Sequence, residues 1–439
     1  MVGQKPFLGS SRVRLPCQNS LRRPDRRAVA RSSYPEAVAH FTAAIAEAAQ
    51  LPESTERTKR ELALLLKLGP PIIIVKSPQN PETEEVYRRA RERAAALNDG
   101  PGLFKATWGL WYNSLTGRRL DRARDYARDL MGLSRQSGDG DLLLEAYHCR
   151  WATAWFRGDV TTSSEAAREG VARYDHAKHA WMGPVFGGHD PGVCAYAVQA
   201  LALAARSSNV QARDSIESAL ALAEELGHEN SRAHALMTSL VVAQLARDCK
   251  ALGSYAQRTI DLAEKYNMPP HRSHALLLSG WALAFGGDLE AGVAAMEVEY
   301  PRASAVGPFF RYYAALLAEG LEKTGRFADA LAIVRPALAT VTEPGVGIFV
   351  SELYRVQGLC LLHSGDGPEE AMHSLRTAVA VARQQGATLL ELRAALSLAR
   401  GATTTDGRAT DLEPLRDVCA ALPVDVDAPD VEEARELLR

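Results

Sequence analysis

The 439-residue chain lacks any apolar run near the roughly 18 to 20 residues that cross a bilayer as a helix. The nearest, 193–205, is short and holds Gln199. A membrane partner is therefore not expected. Excess charge of one sign is lacking too: Lys plus Arg is 51 against 53 for Asp plus Glu, a formal −2. Proteins that neutralise nucleic-acid phosphates as their main task carry a basic excess, so nucleic acid is not an expected partner. Lysine is scarce, nine residues against 42 arginines, and no Gly-x-x-x-x-Gly-Lys-Ser/Thr loop occurs to cradle a triphosphate. The strand-borne carboxylate pair that holds two Mg ions in a nucleotide cyclase is also missing. The six cysteines (Cys17, Cys149, Cys194, Cys249, Cys360 and Cys419) are scattered, with no Cys-x-x-Cys. That suits reduced thiols in a cytoplasm better than a disulfide scaffold.

Residues 1–33 carry Lys5, Arg12, Arg14, Arg22, Arg23, Arg26, Arg27 and Arg31 against one acid, Asp25, with no apolar period. They read as a disordered basic segment. Pro6, Pro16 and Pro24 interrupt the amphipathic helix that a transit peptide needs. From residue 34 to 439 the pattern is helical: Ala and Leu recur at i, i+3, i+4 and i+7, with Gly-Asp, Gly-Arg or Pro punctuation. The run 72–75, four β-branched residues after two prolines, is kept helical.

An internal repeat organises this region. Gly325-x-Phe327-x-x-Ala330-x-x-x-Val334-x-x-Ala337 sets a turn before an aromatic, a small residue, and apolar residues four and seven places later. The pattern is that of the second helix of a tetratricopeptide unit. Its key position recurs at Ala123, Ser163, Ala212, Leu252, Gly292, Ala330 and Ala371, at intervals of 40, 49, 40, 40, 38 and 41 residues. A small residue there lets the two helices of a hairpin approach closely. Small residues also stand in first helices, at Gly280, Ala318 and Gly358. The predicted fold is thus all-α: a right-handed α-α superhelical solenoid of tetratricopeptide-like hairpins with a period of about 40 residues, against about 34 for the standard unit. Each repeat is expected to touch only its neighbours, giving an elongated particle. Tyr34-x-x-Ala37-x-x-x-Phe41-x-x-Ala44 reads as a second helix without its first, so the array looks cut there. Phe41 and Ile45 are expected to stay partly wet and to drive self-association through this N-terminal helix. The helices expected near 56–68 and 82–97 make room for one more unit.

The chain resembles the C-terminal tetratricopeptide region of bacterial multidomain signalling proteins in which a class III adenylate/guanylate cyclase domain precedes a signal-transduction ATPase. The similar stretches are Arg60-Glu-Leu-Ala-Leu64 with Leu68-Gly-Pro and Val75-Lys, Thr107-Trp-Gly-Leu-Trp111, Gly188-His-Asp-Pro-Gly-Val193, Leu226-Gly-His228, Gly280-Trp-Ala282, Gln385-Gly-Ala387, and Glu391-Leu-Arg-Ala394. The ending Asp427-Ala-Pro-Asp430, Glu433-Ala-Arg435 and Leu437-Leu438 is similar too. Trp151 departs from the pattern, standing where a small residue is usual, and the last helix pair looks shortened. The resemblance implies a non-catalytic scaffold that relays a signal to a protein partner or to upstream ATPase and cyclase domains. The alternative is a small-molecule sensor: similar solenoids in ATPase-coupled transcription activators hold an inducer inside the superhelix.

Candidate binding residues lie in the irregular segment 174–191 and on the first helices: His176, His179, Trp181, His189, Asp190, Trp108 and Trp111. His176, His179, His189 and Asp190 carry metal-ligating groups, but their spacing matches no compact zinc pattern. Asp190-Pro191 reads as a helix cap followed by its first residue, so no metal or other cofactor is expected. Trp108, Trp111, Trp151 and Trp155 form two helical-spacing pairs, read as core before groove. The alternating charges from Arg118 to Asp129 read as a solvated face. Cys149 beside His148 is not a nucleophile pair, because adjacent helical residues diverge by about 100°. No nucleophile, base and anion site converge, so the chain is not expected to be an enzyme.

Overall fold

A computed structural model describes residues 34–186, 188–305, 307–341, 346–365, 367–404, 409–422 and 429–439. The basic segment 1–33, with Cys17, lies outside these. The local signals act as their chemistry requires. At Gly158-Asp159 the glycine ends one helix at φ +85°, and the aspartate caps the next by accepting from the Thr162 amide. Asp99, Asp139 and Asp248 cap their helices in the same way.

The described residues contain helices and no strand. The helices run α1 (Tyr34–Ala49), α2 (Thr55–Lys76), α3 (Pro81–Leu97), α4 (Gly100–Thr116), α5 (Leu120–Ser137), α6 (Gly140–Arg157), α7 (Val160–Arg173) and the short α8 (His176–His179) and α9 (Met182–Val185). Then come α10 (Pro191–Ala205), α11 (Asn209–Leu226), α12 (Glu229–Leu245), α13 (Cys249–Tyr266), α14 (Pro269–Phe285), α15 (Leu289–Ala305) and α16 (Phe310–Lys323). The array ends in α17 (Phe327–Ala339), α18 (Val350–Ser364), α19 (Pro368–Gln385), α20 (Thr388–Thr404), α21 (Glu413–Ala421) and α22 (Pro429–Leu437). Successive helices pack as hairpins, and α2 carries 72–75 within it. The fold is the all-α solenoid of helix hairpins expected from the repeat, with a shortened last pair.

Every one of the seven repeat positions, including Leu252, is buried. The tightest is Gly292: a Cβ there would lie 2.2 Å from the Ala284 backbone nitrogen, so only hydrogen fits. Trp151 is accommodated by an exchange of sizes. Its ring lies over Gly170 of α7, where a Cβ would meet it at 2.3 Å, and the Ser163 hydroxyl donates to the Trp151 carbonyl at 3.0 Å.

Two expectations are corrected. Ile45 is not wet: α1 docks on α2, and Ile45 packs among Leu62, Leu65, Leu68 and Ile72, with Phe41 half-buried at the edge. Nor does each repeat touch only its neighbours. Arg118, in the α4–α5 turn, donates to the Gly307 carbonyl at 2.9 Å and the Ser304 carbonyl at 2.6 Å, and stacks over Phe310. The Gly347 and Ile348 amides donate to the Arg157 and Phe156 carbonyls, and Arg393 donates to the Leu245 carbonyl. The coil therefore closes on itself, where aromatic residues of α6 pack on those that precede α16 and α18: Trp155 meets Phe349, and Phe156 meets Phe309.

Candidate functional site

Closure leaves a cavity of about 410 Å³ inside the coil, lined from α4, α6, α10, α12, α14, α15 and α16. Its apolar wall includes Trp111, Tyr112, Trp155, Phe156, Phe309 and Tyr313. Four imidazoles, His148, His189, His234 and His271, face it together with Cys194. A cavity of this size, mostly apolar with a few convergent polar groups, is the usual form of a small-molecule site, where volumes run from about 300 to 1,000 Å³.

The polar wall is built from three repeats. Glu145 on α6 is fully buried; its Oε1 accepts from Trp108 Nε1 at 2.7 Å and lies 3.0 Å from His148 Nδ1. His148 stacks on Trp151, and its Nε2 lies 3.3 Å from His189 Nε2. The His189 and His234 rings stack in parallel with centroids 4.2 Å apart. Trp151 Nε1 donates to Cys194 Sγ at 3.4 Å. Burial alone would raise the Cys194 thiol, but His148, His234 and His189 outweigh it and hold its pKa well below the ordinary thiol range. Burial likewise disfavours charge on His148, but Glu145 and Cys194 prevail and push its pKa well up. His189, desolvated and beside His234, is pushed down to about 4. Several buried polar atoms here have no hydrogen-bond partner: Trp155 Nε1, His234 Nε2, His271 Nδ1 and Glu145 Oε2.

The segment 174–191 is held down rather than hanging free. Met182 and Phe186 are buried, with Phe186 edge-on to Phe104 and Trp108. Asp190 caps α10 through the Gly192 and Val193 amides, accepts from the Tyr174 hydroxyl at 2.9 Å, and its own amide donates to Ser231. Of the residues singled out from the sequence, His189 and Trp111 face the cavity, and Trp108 is core, bonded to the buried Glu145 behind His148. His176 and Trp181 are exposed on the outside, and His179 turns to Asp141 at 3.3 Å. The structure does not gather His176 and His179 with His189. It gathers His148, His189 and Cys194 instead, with ligand atoms all within 4.8 Å of one another.

Cys194, His234 and His148 were missed because they lie on different helices. For two of them a signal was present: Cys194, His234 and His274 follow one another at 40-residue intervals, the repeat length, in three first helices, whereas His148 falls outside that spacing. His274, the third, is consumed inside the core, between the Tyr313 hydroxyl at 2.6 Å and the Met237 carbonyl at 3.2 Å.

No family model matches the chain. An uncharacterized protein of Rhizobium meliloti (strain 1021) is 27% identical over 372 residues, 84% of this chain. The chain spans 36% of that relative's length. Among solved structures, a Rap protein complexed with competence and sporulation factor aligns with 85% of this chain and 99% of its own, at 12% identity and a TM-score of 0.49. A signal-transduction ATPase with numerous domains and a tetratricopeptide repeat sensor, from Pyrococcus horikoshii, aligns with 85% of this chain and 53% of its own, at 12% identity and a TM-score of 0.45. Among the described residues no helix is long and apolar enough to cross a membrane.

Proposed function

We propose that this chain is a sensor solenoid: a small molecule with an aromatic or other flat apolar body binds in the central cavity, and its occupancy is relayed to a protein partner or to attached domains. The observation that carries this reading is the deep, aromatic-lined cavity inside the coil. A scaffold that grips a protein in an open groove would instead present exposed polar side chains along its inner face. The cavity draws its wall from helices that are far apart in sequence and held together by the closing contacts, so a ligand filling it binds the closed coil in preference to an opened one. Binding energy of that kind shifts the equilibrium between the two, which is the physical content of a relay. The resemblance to cyclase–ATPase proteins makes an upstream ATPase and cyclase, in the cytoplasm, the proposed recipients of the signal.

The test is a thermal-shift screen of small aromatic compounds against the full chain, repeated on Ala152→Trp, which places a large ring in the cavity. Compounds that raise the melting temperature of the natural chain and fail on the folded variant support the reading. Compounds that stabilise both equally bind elsewhere and overturn it.

A further inference from the structure

We propose that His148, His189 and Cys194 form a binding site for a transition-metal ion of the zinc class, with its fourth position open to the central cavity. The donor set is the first argument. Imidazole nitrogen and cysteine sulfur are both donor types that Zn²⁺ takes, and its open sites combine three protein ligands with a fourth position for water or a substrate. Oxygen-preferring ions such as Mg²⁺ and Ca²⁺ find no carboxylate in the triad.

Geometry is the second argument. His148 Nε2 and His189 Nε2 face each other at 3.3 Å. Two nitrogens bound to one tetrahedral ion at about 2.0 to 2.1 Å stand about 3.3 Å apart, so neither ring needs to move far to share an ion. As a direct hydrogen bond the same separation is long, since N–H donors usually sit about 2.7 to 3.2 Å from their acceptors. All three ligand atoms fall within 4.8 Å, and they come from α6, the turn before α10, and α10 itself.

The surroundings are the third argument. A metal-bound imidazole commonly gives its other N–H to a carboxylate, which fixes the ring and its tautomer. Glu145 stands 3.0 Å from His148 Nδ1 and is itself held by Trp108 Nε1. The sulfur has its own support in the Trp151 N–H at 3.4 Å. His234 stacks on His189, and its Nε2 is buried and unpartnered. All four residues line the cavity. A cavity ligand that carries a thiolate, carboxylate or imidazole completes the coordination. That last statement rests on the sensor reading; ion binding by the triad does not.

The experiment is a Co²⁺ titration of the full chain after dialysis against a chelator, followed by displacement with Zn²⁺. One equivalent should bind and produce a near-ultraviolet thiolate-to-cobalt charge-transfer band that Zn²⁺ removes. Cys194→Ser should lose the band, and His189→Ala should bind at least about tenfold more weakly. Glu145→Gln, at a positioning residue, should weaken binding by about 10- to 100-fold while keeping the band at saturation. His40→Ala, on the exposed face of α1, should behave as the natural chain. Far-ultraviolet circular dichroism checks that each variant is folded; should Cys194→Ser unfold, His189→Ala, placed in a turn, carries the test. No band at saturating Co²⁺, or a band that survives in folded Cys194→Ser, overturns the site. Compounds that bind the cavity of a chain showing no cobalt band would remove the metal proposal and leave the sensor reading standing. A cobalt site in a chain that binds no compound would do the reverse.

Discussion

At the residue scale, the fold is set by where a side chain can be small. Gly292 and Gly253 both lie near the start of a helix, yet their surroundings differ. A Cβ at Gly292 would strike the Ala284 backbone, whereas one at Gly253 would meet nothing within 4 Å. Gly292→Ala should therefore destabilise the chain by about 1 to 3 kcal/mol, the usual cost of overpacking. Gly253→Ala should stabilise it by about 0.5 to 1 kcal/mol by removing backbone entropy from the unfolded state. Denaturant unfolding of the two variants checks both signs. Ala330→Trp, at the same repeat position as Gly292, should also lower the melting temperature. Arg122→Gln, which removes a half-exposed pair with Glu84 and a 3.4 Å bond to the Tyr126 hydroxyl, should leave it nearly unchanged.

At the scale of elements, the C-terminal helix α22 is fastened by charge as well as by its buried Val431 and Ala434. Asp430 accepts from Arg393 and Arg247, Glu319 accepts from Arg247 and Arg355, and Glu352 pairs with Arg355. These links join α22 to the α12–α13 turn and to α16, α18 and α20. Burial opposes ionisation of Glu319, but Arg247 and Arg355 prevail and hold its pKa at about 2; Asp430 is lowered for the same reason by Arg393 and Arg247. Since both folded-state values lie below the ordinary carboxylate range of about 4, the stability they contribute is present at neutral pH and is lost as pH falls from about 5 towards 2. Melting temperatures over that range should fall in the natural chain and fall less steeply in Asp430→Asn. At neutral pH the same substitution should cost about 3 to 5 kcal/mol, because it leaves buried guanidinium charge without its counterion.

For the whole molecule, closure of the coil decides the site, and Arg118 stands at the seam with its two hydrogen bonds to the 304–307 turn. Arg118→Ala should leave helix content unchanged and speed hydrogen exchange in 304–310 and in the cavity-facing turns. Small-angle scattering should show a larger radius of gyration for the variant. Equal exchange and equal radius would mean that the Trp155 and Phe156 ring contacts and the bonds from Gly347, Ile348 and Arg393 hold the seam without it. At the other end, Ile45→Glu should loosen α1 and α2 locally and spare the repeats beyond α4, since Ile45 packs only within the first cluster.

Periodicity made the helices and their hairpins legible, because a small residue every 40 or so positions is a local requirement: one helix cannot cross another at close range around a bulky side chain. Caps were legible for the same reason, as at Asp190, where the bonds span two and three residues. Trp151 read as a departure, and only its partner Gly170, on the next helix, shows why the wide ring fits. The burial of Ile45 likewise depended on the angle at which α1 meets α2, which no spacing in 34–50 encodes. The 40-residue spacing sets Cys194 and His234 at equivalent places in their repeats, but their meeting with His148 and His189 around one cavity was beyond the linear pattern. Their distances depend on how the small rotation of each repeat accumulates until α4 and α6 meet α16 and α18. That sum is fixed by packing across the whole coil, so the sequence by itself determined the unit and its repetition, and the tertiary structure alone decided what the units enclose.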